Sequence, residues 1–88
     1  ARWMLLFFKM DLLSKARKLK NCTVKRGIMT IEYDASNTPP KAEILRFTGK
    51  ISEPMRFEAA KSLKLIIELD SELDSLQQFE RAIEILSY

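Results

Sequence analysis

The chain has 88 residues, 47% apolar and 31% charged, with two glycines, three prolines and a net charge of +3. That length supports one domain, 1–88, with a thin core, and the composition excludes a disordered or loop-dominated chain. No histidine is present, so the usual base near neutral pH is missing, and the single cysteine, Cys22, makes neither an internal disulfide nor a metal site by itself. The charge is unevenly spread: residues 1–26 hold eight lysines and arginines against one acid, and residues 65–88 hold one against six. The front of the chain is therefore expected to face an anionic partner.

Taken in chain order, residues 3–20 read as a helix. Leu5, Phe8, Leu12, Ala16 and Leu19 recur at spacings of three and four and form an apolar stripe, which Leu6, Met10 and Leu13 widen. Lys15, Arg17, Lys18 and Lys20 fall in its last turns, where cations favour the helix dipole. The greasy start, RWMLLFF, is interrupted by Lys9 and Asp11, far short of the ~20 apolar residues that a membrane span requires. No membrane insertion is therefore expected, and with no small-residue cleavage pattern downstream it is not read as a signal peptide.

Residues 21–26 read as a connection. GIMTIEYD, 27–34, alternates as a strand, with Met29, Ile31 and Tyr33 on one face and Ile28, Thr30 and Glu32 on the other. ASNTPP, 35–40, is a loop by composition. KAEILRFTGKIS, 41–52, reads as a second strand: Leu45, Phe47 and Ile51 share one face, Ile44, Arg46, Thr48 and Lys50 the other, and Gly49 suggests a bulge or turn. Residues 53–60, broken by Pro54, fit a weak strand or a short helical turn. SLKLIIELD, 62–70, places Leu63, Leu65, Ile67 and Leu69 at every second position and reads as the third strand, with a long helix from Pro54 as the open alternative. Ser71 and Asp74 form a variant capping box, and Leu73, Leu76, Phe79, Ile83 and Leu86 supply the stripe of a last helix over 72–87.

The expected fold is thus α+β, in the order αβββα: a three-stranded antiparallel sheet with two helices packed on one face and the other face open. Arg46, Lys50 and Lys64 would project from the open face, Lys25 and Arg26 would enter the first strand nearby, and Lys15, Lys18 and Lys20 would lie at the exit of the first helix. Cations on a curved sheet can follow a phosphate backbone, with affinity that falls steeply with salt. Those eight residues are the candidate RNA-binding set. Glu32 and Glu43 oppose it, and the lack of an exposed aromatic run favours the backbone of a folded RNA over stacked bases. The competing reading is that these lysines are merely hydrated or guard a sheet edge.

No nucleotide-binding glycine motif, zinc-protease motif or nucleophile elbow occurs. Acids such as Asp70 and Asp74 fall at a helix start, where they favour the dipole. Nearby cations could lower the pKa of Cys22, but without a histidine it is a poor catalytic thiol. No enzyme, metal or cofactor is expected, and the lone cysteine suits a reducing, cytoplasmic setting.

The expected element order and the stretches quoted next together resemble the Alu-domain proteins of the eukaryotic signal recognition particle. GIMTIEYD is similar to that family's first strand, ILRF (44–47) to its middle strand, and LIIELDSELDSLQQFERAIEIL (65–86) to its last strand and helix. The resemblance implies a non-enzymatic subunit of a ribonucleoprotein. It would pair with a second small α+β protein as a heterodimer, bind the particle's RNA and take part in elongation arrest during protein targeting to the membrane. By position, Arg46 would contact phosphate, Lys50 would replace the family's basic loop, and Lys25 and Arg26 would lie near the first strand. The sequence departs from the pattern at Glu32, where a lysine is usual, in its acid-diluted second loop, and in lacking a basic tail. The alternative is a small structural subunit of a protein assembly without nucleic-acid contact, since RWMLLFF carries more apolar surface than one stripe needs.

Overall fold

Leu6, Met10 and Leu13, spaced four and three apart, set the inner face of the first helix, α1 (Arg2–Ala16), in a computed structural model that describes residues 2–59 and 61–88. Leu6 and Met10 are each 7% exposed, whereas Leu5, Phe8 and Leu12, the stripe expected to be buried, are more than half exposed. Both faces are apolar, so the periodicity finds the helix but does not choose its inner side. The helix ends four residues earlier than expected. Lys18 takes a left-handed backbone conformation (φ 56°), which breaks the helical run and turns the chain into a strand.

That strand, β1 (Leu19–Lys25), occupies the segment expected to be a connection. It pairs antiparallel with β2 (Ile28–Tyr33), placing Cys22 opposite Ile31 and Val24 opposite Met29. A register shift between Leu19 and Asn21 puts the inward residues out of step, which hides the alternation in the sequence. The two strands are joined by Arg26 and Gly27, both at positive φ (50° and 76°), as a two-residue hairpin turn requires.

After a single 3₁₀ turn at Ala35–Asn37 comes a second helix, α2 (Lys41–Thr48), where a strand was expected. Pro40 opens it, its carbonyl accepting from the Glu43 and Ile44 N–H groups, and the Gly49 N–H closes it on the Leu45 carbonyl. Ile44 and Phe47 are buried at helical spacing, and Leu45 points outward. Gly49 is therefore a helix end and not a bulge.

Residues 55–59 form β3 (Met55–Ala59), and β4 (Leu63–Glu68) follows as expected. The sheet has four antiparallel strands in the order β1-β2-β4-β3. The last helix, α3 (Ser75–Leu86), starts three residues later than expected. Asp74 is its N-cap: its carboxylate accepts from the Gln77 N–H at 2.8 Å, and the Gln77 side chain accepts from the Asp74 N–H at 3.0 Å. The fold is thus α+β with three α-helices and four strands, in the order αββαββα. Met29, Ile31, Leu65 and Ile67 face the helices and are fully buried with Ala82, Ile85 and Leu86 of α3. The strand residues of opposite parity are half-buried or exposed.

Candidate interaction surfaces

The eight candidate RNA-binding residues do not converge. Lys18 and Arg26 flank the opposite ends of β1, which are roughly 20 Å apart at the usual rise of a strand. Arg46 sits on α2 and Lys50 just beyond it, so neither projects from a strand. Lys15 is paired with Asp11 at 3.1 Å on α1, and Lys20 reaches Glu32 at 3.8 Å. Lys64 on β4 stands between two acids in register, Glu32 of β2 and Glu58 of β3. Across the open face the strands present Lys20, Lys25, Arg56 and Lys64 against Glu32, Glu58 and Glu68. Cations and acids alternate on this face with an excess of one cation, whereas a phosphate-tracking surface needs several unopposed cations together. ILRF, the stretch likened to a middle strand, is helical, and the element order differs from αβββα.

A cation outside that set has an internal task. Arg17 donates from Nε to the Leu86 carbonyl at 2.6 Å and from its terminal nitrogen to the Tyr88 carbonyl, and its guanidinium lies 4.5 Å from the centre of the Phe47 ring. It thereby ties the exit of α1 to α2 and to the C-terminal end of α3, where orphan carbonyls and the helix dipole favour a cation. These groups line an open cleft of about 800 Å³ with Tyr33 and Glu43. The sequence carries no local sign of this contact, which spans 69 residues from Arg17 to Leu86.

Arg81 on α3 makes a second tie. It donates to both carboxylate oxygens of Glu53, at 2.6 and 2.8 Å, and to the Tyr88 hydroxyl at 2.7 Å. This two-pronged pair fixes the segment leading into β3 against the helix layer. The Arg81 hydrogen bonds hold the Glu53 carboxyl below its ordinary pKa.

Cys22 is not an activated thiol. It faces the interior, its Sγ 3.6 Å from the Met10 sulfur, and burial pushes its pKa up to about 12. No polar or charged side chain is buried among the described residues. No helix among them is long and apolar enough to cross a membrane.

Among the described residues, exposed large apolar side chains gather on the outer face of α1. Met4, Leu5, Phe8 and Leu12 are 75%, 53%, 61% and 51% exposed. Met4, Phe8 and Leu12 follow one another at i, i+4 and i+8, and Leu5 lies beside them. Trp3 and Phe7 border this stripe while gripping α3: their rings lie 5.6 and 5.1 Å from that of Phe79. The aromatic clasp holds the helix down by one flank, where Trp3 and Phe7 are themselves 40% and 56% exposed, and leaves the opposite flank in solvent. Apolar side chains scattered singly on a surface are ordinary, but a contiguous row on one helix marks a contact. The rim is polar, with exposed Lys9 on one side and the Asp11–Lys15 pair on the other. No protein-family model matches the chain, nor does any curated protein or solved structure.

Proposed function

We propose that the chain is a non-enzymatic docking subunit whose α1 lays its outer face into an apolar groove of a partner protein. One observation carries this reading: four large apolar side chains share the solvent face of a single helix that is already held from behind. A helix seats in a groove through anchors at i, i+4 and i+8, the spacing of Met4, Phe8 and Leu12. Phe8 is the central anchor, and truncating a central aromatic anchor typically costs 2 kcal/mol or more of binding, about thirtyfold in affinity. Lys9, exposed beside the stripe, favours a groove with an acid on that side of its rim.

The test is purification of complexes from the source cells with the native chain and with Phe8→Glu. A stoichiometric partner should be retained by the native chain and by Lys15→Gln, and lost with Phe8→Glu, whose melting temperature should not fall. The native chain should also bind a hydrophobic dye that Phe8→Glu binds weakly. Retention of the partner by Phe8→Glu would overturn the reading, as would a native chain that binds neither dye nor partner.

RNA binding stands second. It is supported by the basic front segment and by exposed Lys18 and Lys25, and it has no convergent surface. It requires a titration with strong salt dependence that collapses on removing those lysines.

A further inference from the structure

The sheet ends in two free edges, β1 and β3, and they differ in kind. The β1 edge is irregular, with its bulge at Leu19–Asn21 and with Lys20 and Lys25 along it. Bulges and lysines are the usual guards against pairing with another chain. The β3 edge is regular over five residues, Met-Arg-Phe-Glu-Ala, and carries one charge of each sign.

The backbone of β3 can be followed group by group. The Glu68 N–H donates to the Pro54 carbonyl at 2.9 Å, so Pro54 and Glu68 face each other as a hydrogen-bonding pair. Antiparallel ladders alternate such pairs with non-bonded ones. Arg56 and Glu58 therefore turn their peptide groups toward β4, and Met55, Phe57 and Ala59 turn theirs outward. The side chains alternate as well. Phe57 lies on the helix-side face, where the helix layer stops short and leaves it 46% exposed. Arg56 and Glu58 project from the opposite face and are exposed.

We propose that β3 is a self-pairing edge: it joins antiparallel to β3 of a second copy, with the two-fold axis through Phe57. In that register Phe57 meets its own counterpart, Met55 meets Ala59 of the second copy, and Arg56 meets Glu58 of the second copy in both directions. Three residues per strand, Met55, Phe57 and Ala59, have outward peptide groups that close a ladder across the axis. The two Arg56–Glu58 pairs then fall at non-bonded positions, where facing side chains approach most closely. The two Phe57 rings cover each other on the face that the helices leave bare.

The register is chosen by the sequence. An axis through Arg56 would set arginine against arginine, and one through Glu58 would set acid against acid. An axis between residues would bring the inner face of one copy against the outer face of the other. Only the Phe57 axis pairs opposite charges, matches faces and buries the aromatic ring. A two-fold contact must be self-complementary, and a cation and an acid placed symmetrically about a central aromatic meet that condition. The result is a continuous eight-stranded sheet. The edge is short, so the association is expected to be transient and concentration-dependent.

Sedimentation equilibrium of the full chain over a wide concentration range tests the proposal. The native chain should pass from a one-chain to a two-chain mass. Arg56→Glu and Glu58→Arg should each weaken association on the order of tenfold, since each turns two attractive pairs into repulsive ones. The double variant should restore it. An equimolar mixture of the two single variants should also associate, because every cross-axis pair in that heterodimer is again of opposite sign. Phe8→Glu, on the far helix, should leave the association intact. A native chain that stays monomeric at millimolar concentration overturns the proposal, as does a dimer indifferent to the charge reversals. A dimer abolished by Phe8→Glu but not by them would place the contact on α1 and overturn it equally.

Discussion

Helices α1 and α3 lie side by side in one layer, and they are built on opposite plans. α3 has one apolar side, buried as Phe79, Ala82, Ile85 and Leu86, with Gln77 and Glu84 outward. α1 is apolar on both sides, burying Leu6 and Met10 and displaying Met4, Phe8 and Leu12. The first is a helix finished by its own fold. The second has one face finished and one that waits for something to cover it. Stability and recognition are thus separable on α1, and substitutions can pull them apart.

The largest effect should come from the finished faces. Ile85→Ala removes a fully buried side chain and should cost about 2–5 kcal/mol, as should Leu6→Ala on the inner side of α1. Phe8→Ala and Leu12→Ala, on the same helix, should change stability by less than about 0.5 kcal/mol, in the range of ordinary surface positions. Urea denaturation of the four variants gives the comparison directly. If Phe8→Ala were as costly as Leu6→Ala, the two faces would not be distinct and the docking surface would be lost as an idea.

The same contrast shows what the sequence could and could not disclose. β2 and α3 were legible because each has one period and one clean face, through Met29, Ile31 and Tyr33 and through Phe79 and Leu86, whereas Leu65 and Ile67 of β4 favoured a strand but left a long helix from Pro54 open. The excess apolar surface of RWMLLFF was legible too, but not its side, because a helix apolar all round satisfies either choice. KAEILRFT is short enough that Leu45 and Phe47 fit a strand while Ile44 and Phe47 fit a helix; the burial of Ile44 and Phe47 decides it. β1 was hidden by its bulge. The cation cluster failed for a simpler reason. It assumed that Arg46 and Lys64 share a sheet face, and once 41–48 is a helix they do not.

A smaller effect tests how the segment before β3 is held. Arg81→Met should cost about 1.5–3 kcal/mol, the usual worth of hydrogen bonds to a charged group, by freeing Glu53 from the helix layer. The contribution is also pH-dependent. The carboxyl of Glu53 is depressed in the fold by Arg81, so its stabilisation is complete above the ordinary glutamate range, near pH 4.3, and is lost as pH falls through the depressed value. Thermal melts of the native chain and Glu53→Gln should therefore differ most near neutrality and converge in acid. A gap that widens in acid would contradict the sign.

Asp74→Ala, which removes the cap that starts α3, should cost about 1 kcal/mol, and Asp74→Asn much less. Beyond the other helix of that layer, α1, two left-handed residues bracket β1: Lys18 before it and Arg26 in the turn after it. Arg26 is the more informative position. It fills the first place of a turn that favours asparagine followed by glycine, and an arginine there carries a backbone cost that asparagine largely avoids. Arg26→Asn should therefore raise stability by about 0.5 kcal/mol while removing a cation that the RNA reading requires. The two readouts move in opposite directions under that reading, with a firmer fold and weaker polyanion binding. Under helix docking the fold gains and partner binding does not change. Thermal melts set beside partner and RNA titrations of this one variant thus separate a residue kept for its charge from one that merely occupies a turn.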